Sequence, residues 1–432
     1  MERKITAKLL AWKNKKQGRR PLLISGARQV GKTYILREFG EKNYRNVAYI
    51  NFEVNLAADA YFHDNIEPQR LLRFLETEVR ERIIPGETLI IFDEIQYCER
   101  ALTALKYFHE EAPEYHIACA GSLLGTANSQ GVYSFPVGKV DSLTMLPCDF
   151  EEFLKALGED RLIKNIKTSY RTNKALPGSL HERAVYLHKL YLIVGGMPWA
   201  ITEYVLHGSL LAVADVQRKI SNDYIADMSK YASKAENVKL RAAYNSIPVQ
   251  LAKENRKFQY RLAQRGGTAT LFGPAIEWLN YAGLVIKCGR ILEGRMPLAV
   301  YSDLDSFKLY MNDVGLLTLK SGIAQQTVLA AGALENAFVN ALNENYVAQA
   351  LAVNYSGLYY WSSGGRAEVD FVLQKGKKIS GVVIQNGRRT KTKSLTTFVQ
   401  NYQPVNAVRV THENFSFVNG VKNVPFYAVF CM

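Results

Sequence analysis

The segment from Pro21 to Thr33, PLLISGARQVGKT, places a glycine-rich turn between an apolar run and a helical pattern. Its second part, GARQVGKT, fits the pattern G-x-x-x-x-G-K-[ST], in which the loop N–H groups face a phosphate. The following helix adds the positive end of its dipole at the same place. A chance glycine turn is the alternative, but the flanking strand and helix disfavour it. The motif therefore requires a strand that ends at the loop and a helix that begins there.

Each residue type in this loop has an expected task toward a nucleotide. Lys32 is expected to reach the β- and γ-phosphates, and Thr33 to offer its hydroxyl to magnesium. Arg28 is a further basic group that either helps binding or faces solvent. ATP and magnesium are thus the predicted cofactors. The predicted nucleotide-binding residues are Gly26, Ala27, Arg28, Gln29, Val30, Gly31, Lys32 and Thr33.

A second motif, LIIFDE, ends a buried strand in two acids. Asp93 is expected to hold magnesium together with Thr33, usually through water, and Glu94 to polarise the attacking water. Two acids at a strand end can also form a solvated turn, an alternative that the preceding phosphate loop weakens. Ser122 is predicted to point at the γ-phosphate from the end of a later strand, with a plain serine turn as the alternative. The predicted catalytic residues are Glu94, Lys32 and Ser122.

Five β-type runs alternate with helical patterns over the first 150 residues. Such alternation favours an α/β fold with a parallel sheet and helices on both faces. The fourth strand is expected between the first and the third, as in P-loop NTPases of the AAA+/ASCE type. The runs are Pro21–Ser25, Val47–Phe52, Thr88–Phe92, His116–Ala120 and Val140–Leu146, and the helical patterns are 32–42, 68–82 and 101–111.

Composition limits the class of protein and the kind of partner. The 432 residues are 48% apolar and 22% charged, which is typical of two to four folded domains. No apolar run is long enough to span a membrane. Five scattered cysteines without a C-x-x-C pair suggest reduced thiols, a cytoplasmic location and no zinc site. The formal net charge of +14 permits DNA as a partner, although an ordinary basic protein fits equally well.

Several motifs together resemble the bacterial and archaeal AAA-type ATPases that carry a C-terminal domain of unknown function. The resemblance covers nearly the whole chain and implies an ATP-driven switch or motor with a helical region packed on the ATPase core. Many ATPases of this type borrow a cationic residue from a neighbouring subunit, which implies a homo-oligomer. The motifs are PLLISGARQVGKT, IIFDEIQ, AGSLLG, LPCDFEEFL, YLIVGGMPWAITEY (191–204), ISNDYIADMSKY (220–231), FKLYMNDVGLLT (307–318) and LENAFVNAL (334–342).

One departure from this resemblance concerns a basic residue. Members often carry an arginine just before the last core strand, where this chain reads FPVGK, from Phe135 to Lys139. Lysine supplies charge but not the planar fork of an arginine. Whether Lys139 replaces that arginine is left open by the sequence. A nucleotide-bound scaffold without hydrolysis therefore remains an alternative.

We predict four domains: an ATPase domain (1–150), a helical connector (151–235), a winged-helix-like domain (236–322) and a nuclease-like domain (323–432). The winged helix rests on helical patterns at 237–254 and 271–281, a strand after Gly283 and a return strand at Leu298–Tyr301. Winged helices often contact DNA through their second helix. Because residues 271–281 are short of basic side chains, packing against protein is the alternative.

The last region resembles the restriction-endonuclease-like fold of the PD-(D/E)xK type, in which acids and a lysine bind magnesium and activate water. The helices are expected at 334–346 and 394–402, and the strands at 357–361, 369–373, 379–385, 405–411 and 426–430. The corresponding site is degenerate in this chain, because Val383 stands where Glu belongs and Gln385 where Lys belongs. Two acids of the site remain, Glu335 and Asp370.

The segment between Asp370 and Glu413 contains no other acid but eight basic residues. Since magnesium is usually held by more than one carboxylate, we predict an ATPase whose nuclease-like domain does not cut DNA. Its basic surface either binds nucleic acid or is an ordinary solvated face. An ATP-gated, metal-dependent DNA nuclease is the alternative function. The basic residues are Lys375, Lys377, Lys378, Arg388, Arg389, Lys391, Lys393 and Arg409.

Overall fold

The computed structural model describes residues 2–122, 138–231, 233–330, 337–364, 367–385 and 392–432. The chain divides into two compact units, Met1–Leu146 with Tyr281–Gly283, and Pro147–Asn280 with Leu284–Met432. All five cysteines are free thiols. Among the described helices, none has the length and apolar character that a membrane crossing needs.

The first unit contains a five-stranded parallel sheet with the order β2-β3-β4-β1-β5. The position of β4 between β1 and β3 confirms the expected P-loop arrangement. The strands are β1 (Leu22–Ser25), β2 (Asn46–Asn51), β3 (Thr88–Asp93), β4 (His116–Gly121) and β5 (Asp141–Thr144). The helices are α1 (Ile5–Lys13), α2 (Lys32–Asn43), α3 (Leu56–Asp64), α4 (Pro68–Val79) and α5 (Glu99–Glu111).

The core of this unit forms because β3 and β4 are continuous apolar runs, as expected of strands covered on both faces. Phe92 of β3 packs edge to face against Phe52 and Phe62, with ring centroids 5.6 and 5.5 Å away. Such geometry is the preferred one for aromatic pairs. The packing holds the end of β3 in place, and β3 ends in the acid Asp93. Helices α1 and α3 were not predicted from the sequence.

The second unit begins with a series of helices and continues into an eight-stranded mixed sheet. Its helices are α6 (Phe150–Ala156), α7 (Asp160–Thr172), α8 (Gly178–Val194), α9 (Pro198–His207), α10 (Leu210–Tyr231), α11 (Lys234–Leu251), α12 (Tyr260–Ala263), α13 (Ala269–Tyr281), α14 (Val314–Ser321), α15 (Gln325–Leu329), α16 (Ala337–Ala352) and α17 (Thr392–Tyr402).

The mixed sheet has the order β12-β13-β11-β10-β9-β8-β6-β7. Its strands are β6 (Val285–Ile291), β7 (Ser302–Met311), β8 (Leu358–Ser362), β9 (Glu368–Lys375), β10 (Lys378–Ile384), β11 (Asn406–Thr411), β12 (Ser416–Val418) and β13 (Val421–Pro425). Helix α17 packs on it through Leu395 and Phe398, which share an apolar cluster with Val383 of β10.

Two predicted strands are wrong. Leu298–Tyr301 is a 3-10 helix, and the return strand is Ser302–Met311. The local cause is an anchor at Leu298, which is buried in the apolar cluster while its N–H donates to Gln374 Oε1 at 2.9 Å. The segment from Phe426 is also a 3-10 helix, Phe426–Cys431, with five consecutive buried residues. A short apolar run of this kind does not distinguish strand from helix by its periodicity.

A hairpin forms in the region predicted as a winged helix, with Ser302–Met311 rather than Leu298–Tyr301 as its return strand, but it is part of a larger sheet. Strands β6 and β7 pair antiparallel, as a hairpin does. The other side of β6 pairs in parallel with β8, from Cys288 opposite Leu358 to Ile291 opposite Trp361. The hydrogen-bonded sheet thus crosses the domain boundary that we placed at 322/323. The division into four domains remains a prediction.

The sequence motifs at 191–204 and 307–318 contact each other at a buried aspartate of the second motif. Asp313 Oδ2 accepts a hydrogen bond from the Gly196 N–H at 2.5 Å, and Oδ1 accepts one from the Leu316 N–H at 3.0 Å. Gly195 has φ +72°, and a Cβ there would lie 2.3 Å from Asp313 Oδ1, so only glycine fits. Burial raises the pKa of Asp313 to about 6. The residues of these motifs therefore fix the packing of α8 against α14.

Candidate active site

The loop between β1 and α2 curls because three of its residues have positive φ: Gly26 (148°), Gln29 (63°) and Gly31 (96°). A Cβ on Gly26 would lie 2.2 Å from the carbonyl oxygen of Met145, which follows β5. Gly31 is the N-cap residue of α2 in the left-handed conformation. The loop N–H groups and the start of α2 thus lie together at the carboxyl end of β1, where an anion is stabilised.

Lys32 is the first residue of α2, and its side chain is buried at 6% exposure. Its Nζ donates hydrogen bonds to the carbonyl oxygens of Gly26 and Ala27, both at 2.9 Å. The ammonium group therefore lies across the loop. A residue that the sequence analysis missed supports the loop from outside: Arg3 Nη1 donates to the Val30 carbonyl oxygen at 2.9 Å.

Asp93, the last residue of β3, is hydrogen-bonded to residues of α2 and β2 at the carboxyl ends of the strands. The carboxylate is buried at 2% exposure, and its Oδ2 accepts hydrogen bonds from Thr33 Oγ1 at 2.8 Å and Tyr49 OH at 2.7 Å. Burial, and then the bond to Asp93, raises the pKa of Tyr49 to about 12, so the phenol keeps its proton and donates. No sequence motif marks Tyr49, because its role depends on β2 lying beside β3.

The Thr33 hydroxyl and the Asp93 carboxylate also test the predicted cofactor. Magnesium prefers oxygen ligands in a compact arrangement and keeps several waters. Two such oxygens from different elements already lie within hydrogen-bond distance of each other. The donor set fits magnesium.

Glu94 and Ser122 are joined through a glutamine. Gln96 Nε2 donates to Glu94 Oε2 at 2.5 Å and to Ser122 Oγ at 3.4 Å. Glu94 has φ +49°, a left-handed conformation that costs a non-glycine residue about 1–3 kcal/mol. The structure therefore brings the predicted acid and the predicted serine together. Gln96 belongs to the quoted motif IIFDEIQ, but its bridging position appears only in the fold.

Three segments of the chain match known family models. Residues 18–154 match an AAA domain, residues 187–327 a domain of unknown function (DUF8612), and residues 339–430 a further domain of unknown function (DUF4143). The chain carries an AAA-type P-loop ATPase domain. The first match includes the phosphate loop, the Asp93–Glu94 pair and Ser122.

Three solved structures of other proteins illustrate what this chain is similar to. The Walker-type ATPase of Pyrococcus abyssi is 16% identical over 74% of this chain and 95% of its own, with a TM-score of 0.45. The Aeropyrum pernix ORC2 protein is 12% identical over 82% of this chain and 96% of its own, with a TM-score of 0.38. Aquifex aeolicus DnaA bound to AMPPCP is 13% identical over 60% of this chain and 81% of its own, with a TM-score of 0.27. No curated protein matches the chain.

Arg28 of the ATPase domain is held by an acid. Its Nη2 lies 3.6 Å from Glu53 Oε1, which also accepts a hydrogen bond from Tyr97 OH at 3.2 Å. The side chain of Arg28 is 22% exposed, so it is neither fully buried toward the nucleotide site nor fully solvent-facing. Glu53, which follows β2, orients this side chain of the phosphate loop.

Lys139 lies at the other end of the sheet from the phosphate loop. Asp141, the first residue of β5, is in register with Leu22, the first residue of β1, whereas the loop follows the last residue of β1. The length of β1 therefore separates them by about 13 Å. Lys139 Nζ pairs with Glu110 Oε1 at 2.7 Å, near the end of α5. Phe135 and its neighbours up to Val137 lie outside the described residues.

The nuclease-like site residues do not form an open metal site where the structure describes them. Asp370 is fully buried, and its Oδ2 accepts the Ile384 N–H at 2.7 Å. Val383 is buried in the apolar cluster, and the Gln385 N–H donates to the Val410 carbonyl oxygen. Glu335 lies outside the described residues.

A buried charged cluster next to these strands was not predicted. Glu344 of α16 accepts hydrogen bonds from Lys308 Nζ at 3.2 Å and Tyr310 OH at 2.6 Å, and it pairs with Arg256. Lys308 also pairs with Glu368 at 2.9 Å. The only sequence signal was a lysine within the apolar strand FKLYM. Because each buried charge has a partner, the cluster avoids the cost of an isolated charge.

Proposed function

We propose that the chain hydrolyses ATP with magnesium at the loop between β1 and α2. The observation that carries this proposal is the contact between Thr33 Oγ1 and Asp93 Oδ2 at 2.8 Å, beside a phosphate loop with the start of α2 behind it. A hydroxyl and a carboxylate that meet at this point would hold magnesium, which would stabilise negative charge on the phosphates.

The chain's own groups divide the work in this mechanism. The loop N–H groups and Lys32 bind and orient the phosphates, and Thr33 and Asp93 would hold magnesium. Glu94 accepts the proton of the attacking water or polarises it. Gln96 holds the Glu94 carboxylate and reaches Ser122, so it is suited to position both.

Two substitutions of Thr33 test the metal assignment. Thr33→Ala removes the hydroxyl, and we expect magnesium-dependent phosphate release to fall roughly 10- to 100-fold, as for other losses around a metal ligand. Thr33→Ser keeps the hydroxyl and is the matched control, with a rate near that of the wild type. If the alanine and serine variants release phosphate at equal rates, the hydroxyl does not serve the metal. If the wild type releases none, the chain is a nucleotide-bound scaffold.

We further propose that the second unit binds DNA through its phosphates. Support comes from the turn between β9 and β10, where Lys375, Lys377 and Lys378 are exposed around Gly376, with φ +58°. Three ammonium groups on one tight hairpin form a compact positive surface on a chain with net charge +14. Arg388 and Arg389, which were predicted to share this surface, lie outside the described residues.

The double variant Lys377→Glu/Lys378→Glu tests DNA binding. We expect weaker binding to duplex DNA, and a plot of log affinity against log salt that is less steep by about 2, because each lost phosphate contact removes roughly one unit. Lys164→Glu/Lys174→Glu changes the net charge equally at exposed sites of the same unit and is the control. Equal affinities and slopes for both double variants would show that net charge alone attracts DNA.

We expect no magnesium-dependent cleavage of DNA. The Asp370 carboxylate is occupied by the Ile384 N–H, and Val383 supplies no ligand. Supercoiled plasmid incubated with magnesium or manganese should be nicked no faster by the wild type than by Asp370→Asn, a variant close in shape. Cleavage by the wild type that Asp370→Asn lacks would favour the alternative function, an ATP-gated nuclease.

Self-association remains a further proposal. Lys139 is about a strand's length from the phosphate loop of its own chain. We propose that it would act on ATP bound to a neighbouring copy, as a cationic residue does in many ATPases of this type. Arg28, in contrast, belongs to the phosphate loop of its own chain.

A further inference from the structure

Three residues with metal-binding side chains meet in the first unit, outside the proposed ATP site. Asp59 and His63 lie on α3, and Cys98 is the N-cap residue of α5. One donor atom from each residue, a carboxylate oxygen, a ring nitrogen and the Sγ, lies within 4.8 Å of the other two. No zinc site was predicted, because the cysteines form no C-x-x-C pair, and Cys98 is far from Asp59 and His63 in the sequence.

The geometry suits a tetrahedral ion. Asp59 and His63 are four residues apart on one helix, the spacing that places two ligands on one helical face. Zinc bonds of about 2.0–2.3 Å hold neighbouring donors roughly 3.3–3.6 Å apart. His63 Nδ1 is 3.5 Å from Asp59 Oδ1 and also lies 3.0 Å from the Asp59 carbonyl oxygen, a contact that it would exchange for the ion. Cys98 Sγ lies within 4.8 Å of the other two donors and would move closer on binding.

The three side chains already contact one another. The Cys98 thiol hydrogen bonds to the Asp59 carboxylate. Asp59 Oδ1 is shielded from solvent. The His63 ring lies beside this oxygen, and a bound cation would be shared between the two side chains. His63 is half-exposed, so an ion can enter from solvent.

We propose that Asp59, His63 and Cys98 form a binding site for a zinc-class divalent ion, with water as the fourth ligand. One oxygen, one nitrogen and one sulfur donor favour zinc or cobalt over magnesium, which takes oxygen ligands. Cys98 directly follows the segment that carries Glu94 and Gln96. Binding therefore ties α3 to the start of α5, immediately beyond the proposed catalytic acid.

Cobalt serves as the probe because a Co²⁺–thiolate bond gives visible and near-ultraviolet absorption that oxygen ligands do not. The full chain, stripped with a chelator and kept reduced, is titrated with Co²⁺ and then with Zn²⁺. We expect thiolate absorption that saturates at one equivalent and is lost on adding Zn²⁺. Cys98→Ser should abolish the band, and His63→Gln should weaken Co²⁺ binding at least about tenfold.

Two control variants separate this site from adventitious binding. His207→Gln removes an exposed histidine with an acid four residues earlier, Glu203, as in the Asp59–His63 pair but without a cysteine. Cys431→Ser removes the partly exposed thiol. Both should bind Co²⁺ like the wild type. Because His63 is exposed, His63→Gln should keep the thermal midpoint of the chelated wild type, which separates lost binding from lost folding.

Three results would overturn the proposal. The first is no thiolate absorption in the wild type. The second is absorption that persists in Cys98→Ser or disappears in Cys431→Ser. The third is a thermal midpoint that Zn²⁺ raises equally in the wild type and His63→Gln. In each case Asp59 and His63 are an ordinary helical ion pair beside a capping cysteine.

Discussion

Replacing Glu94 with glutamine is expected to lower steady-state phosphate release roughly 100-fold or more while ATP still binds. The amide keeps the size of the side chain, and its carbonyl oxygen can still accept the hydrogen bond from Gln96. It loses the negative charge that polarises water, and loss of a general base typically costs about 10²–10⁴-fold. Phosphate release at saturating ATP and equilibrium binding of ATP measure the two effects separately.

Glu87→Gln is the matched control for this variant. Glu87 is an exposed acid that precedes β3, at the end of the strand opposite Asp93, and it pairs with Arg45 on the surface, so its loss should leave turnover unchanged. Equal rates of phosphate release in the wild type and Glu94→Gln would exclude Glu94 as the base. A fall in both variants would indicate a general response of the domain to lost charge.

Lys32→Ala is expected to weaken ATP binding by at least about 100-fold. The lysine is buried across the loop, and hydrogen bonds from a charged group contribute roughly 1.5–3 kcal/mol each. Losing its contacts to two phosphates therefore removes at least about 3 kcal/mol, which exceeds two factors of ten in the dissociation constant. Calorimetric titration with ATP in the presence of magnesium measures the change.

Lys42→Ala provides the comparison for this experiment, since Lys42 lies near the other end of the same helix and pairs with Glu38 on the surface. Its affinity for ATP should equal that of the wild type. An unchanged affinity in Lys32→Ala would contradict the assignment of the loop between β1 and α2 as the nucleotide site.

The ATPase domain could be predicted well because its signals are local. The strand before Gly26, the helix from Lys32 and the strand ending in Asp93 each follow from consecutive residues, and all three formed as expected. The position of β4 between β1 and β3 followed from the known order of such sheets. The roles of the site residues still await experiment.

The features that could not be predicted from the sequence depend on contacts between residues that are distant along the chain. Tyr49 and Arg3 support the site only because folding brings them to Asp93 and Val30. The apolar run at Phe426 forms a 3-10 helix instead of the predicted strand, because the periodicity of a short apolar run does not distinguish a strand from a helix. The proposed metal site is a third case, because Cys98 is far in the sequence from Asp59 and His63 on α3.

The pairing between β6 and β8 restricts how the chain can be divided into fragments. A fragment that stops at Gly322 would retain β6 but lose β8, and the backbone groups of Cys288–Ile291 would lose the partners they have in the full chain. Unpaired strand edges recruit strands from other molecules and cause aggregation. Insolubility of such a fragment would therefore reflect where it was cut, and a fragment that carries the proposed DNA-binding surface needs β6 and β8 together.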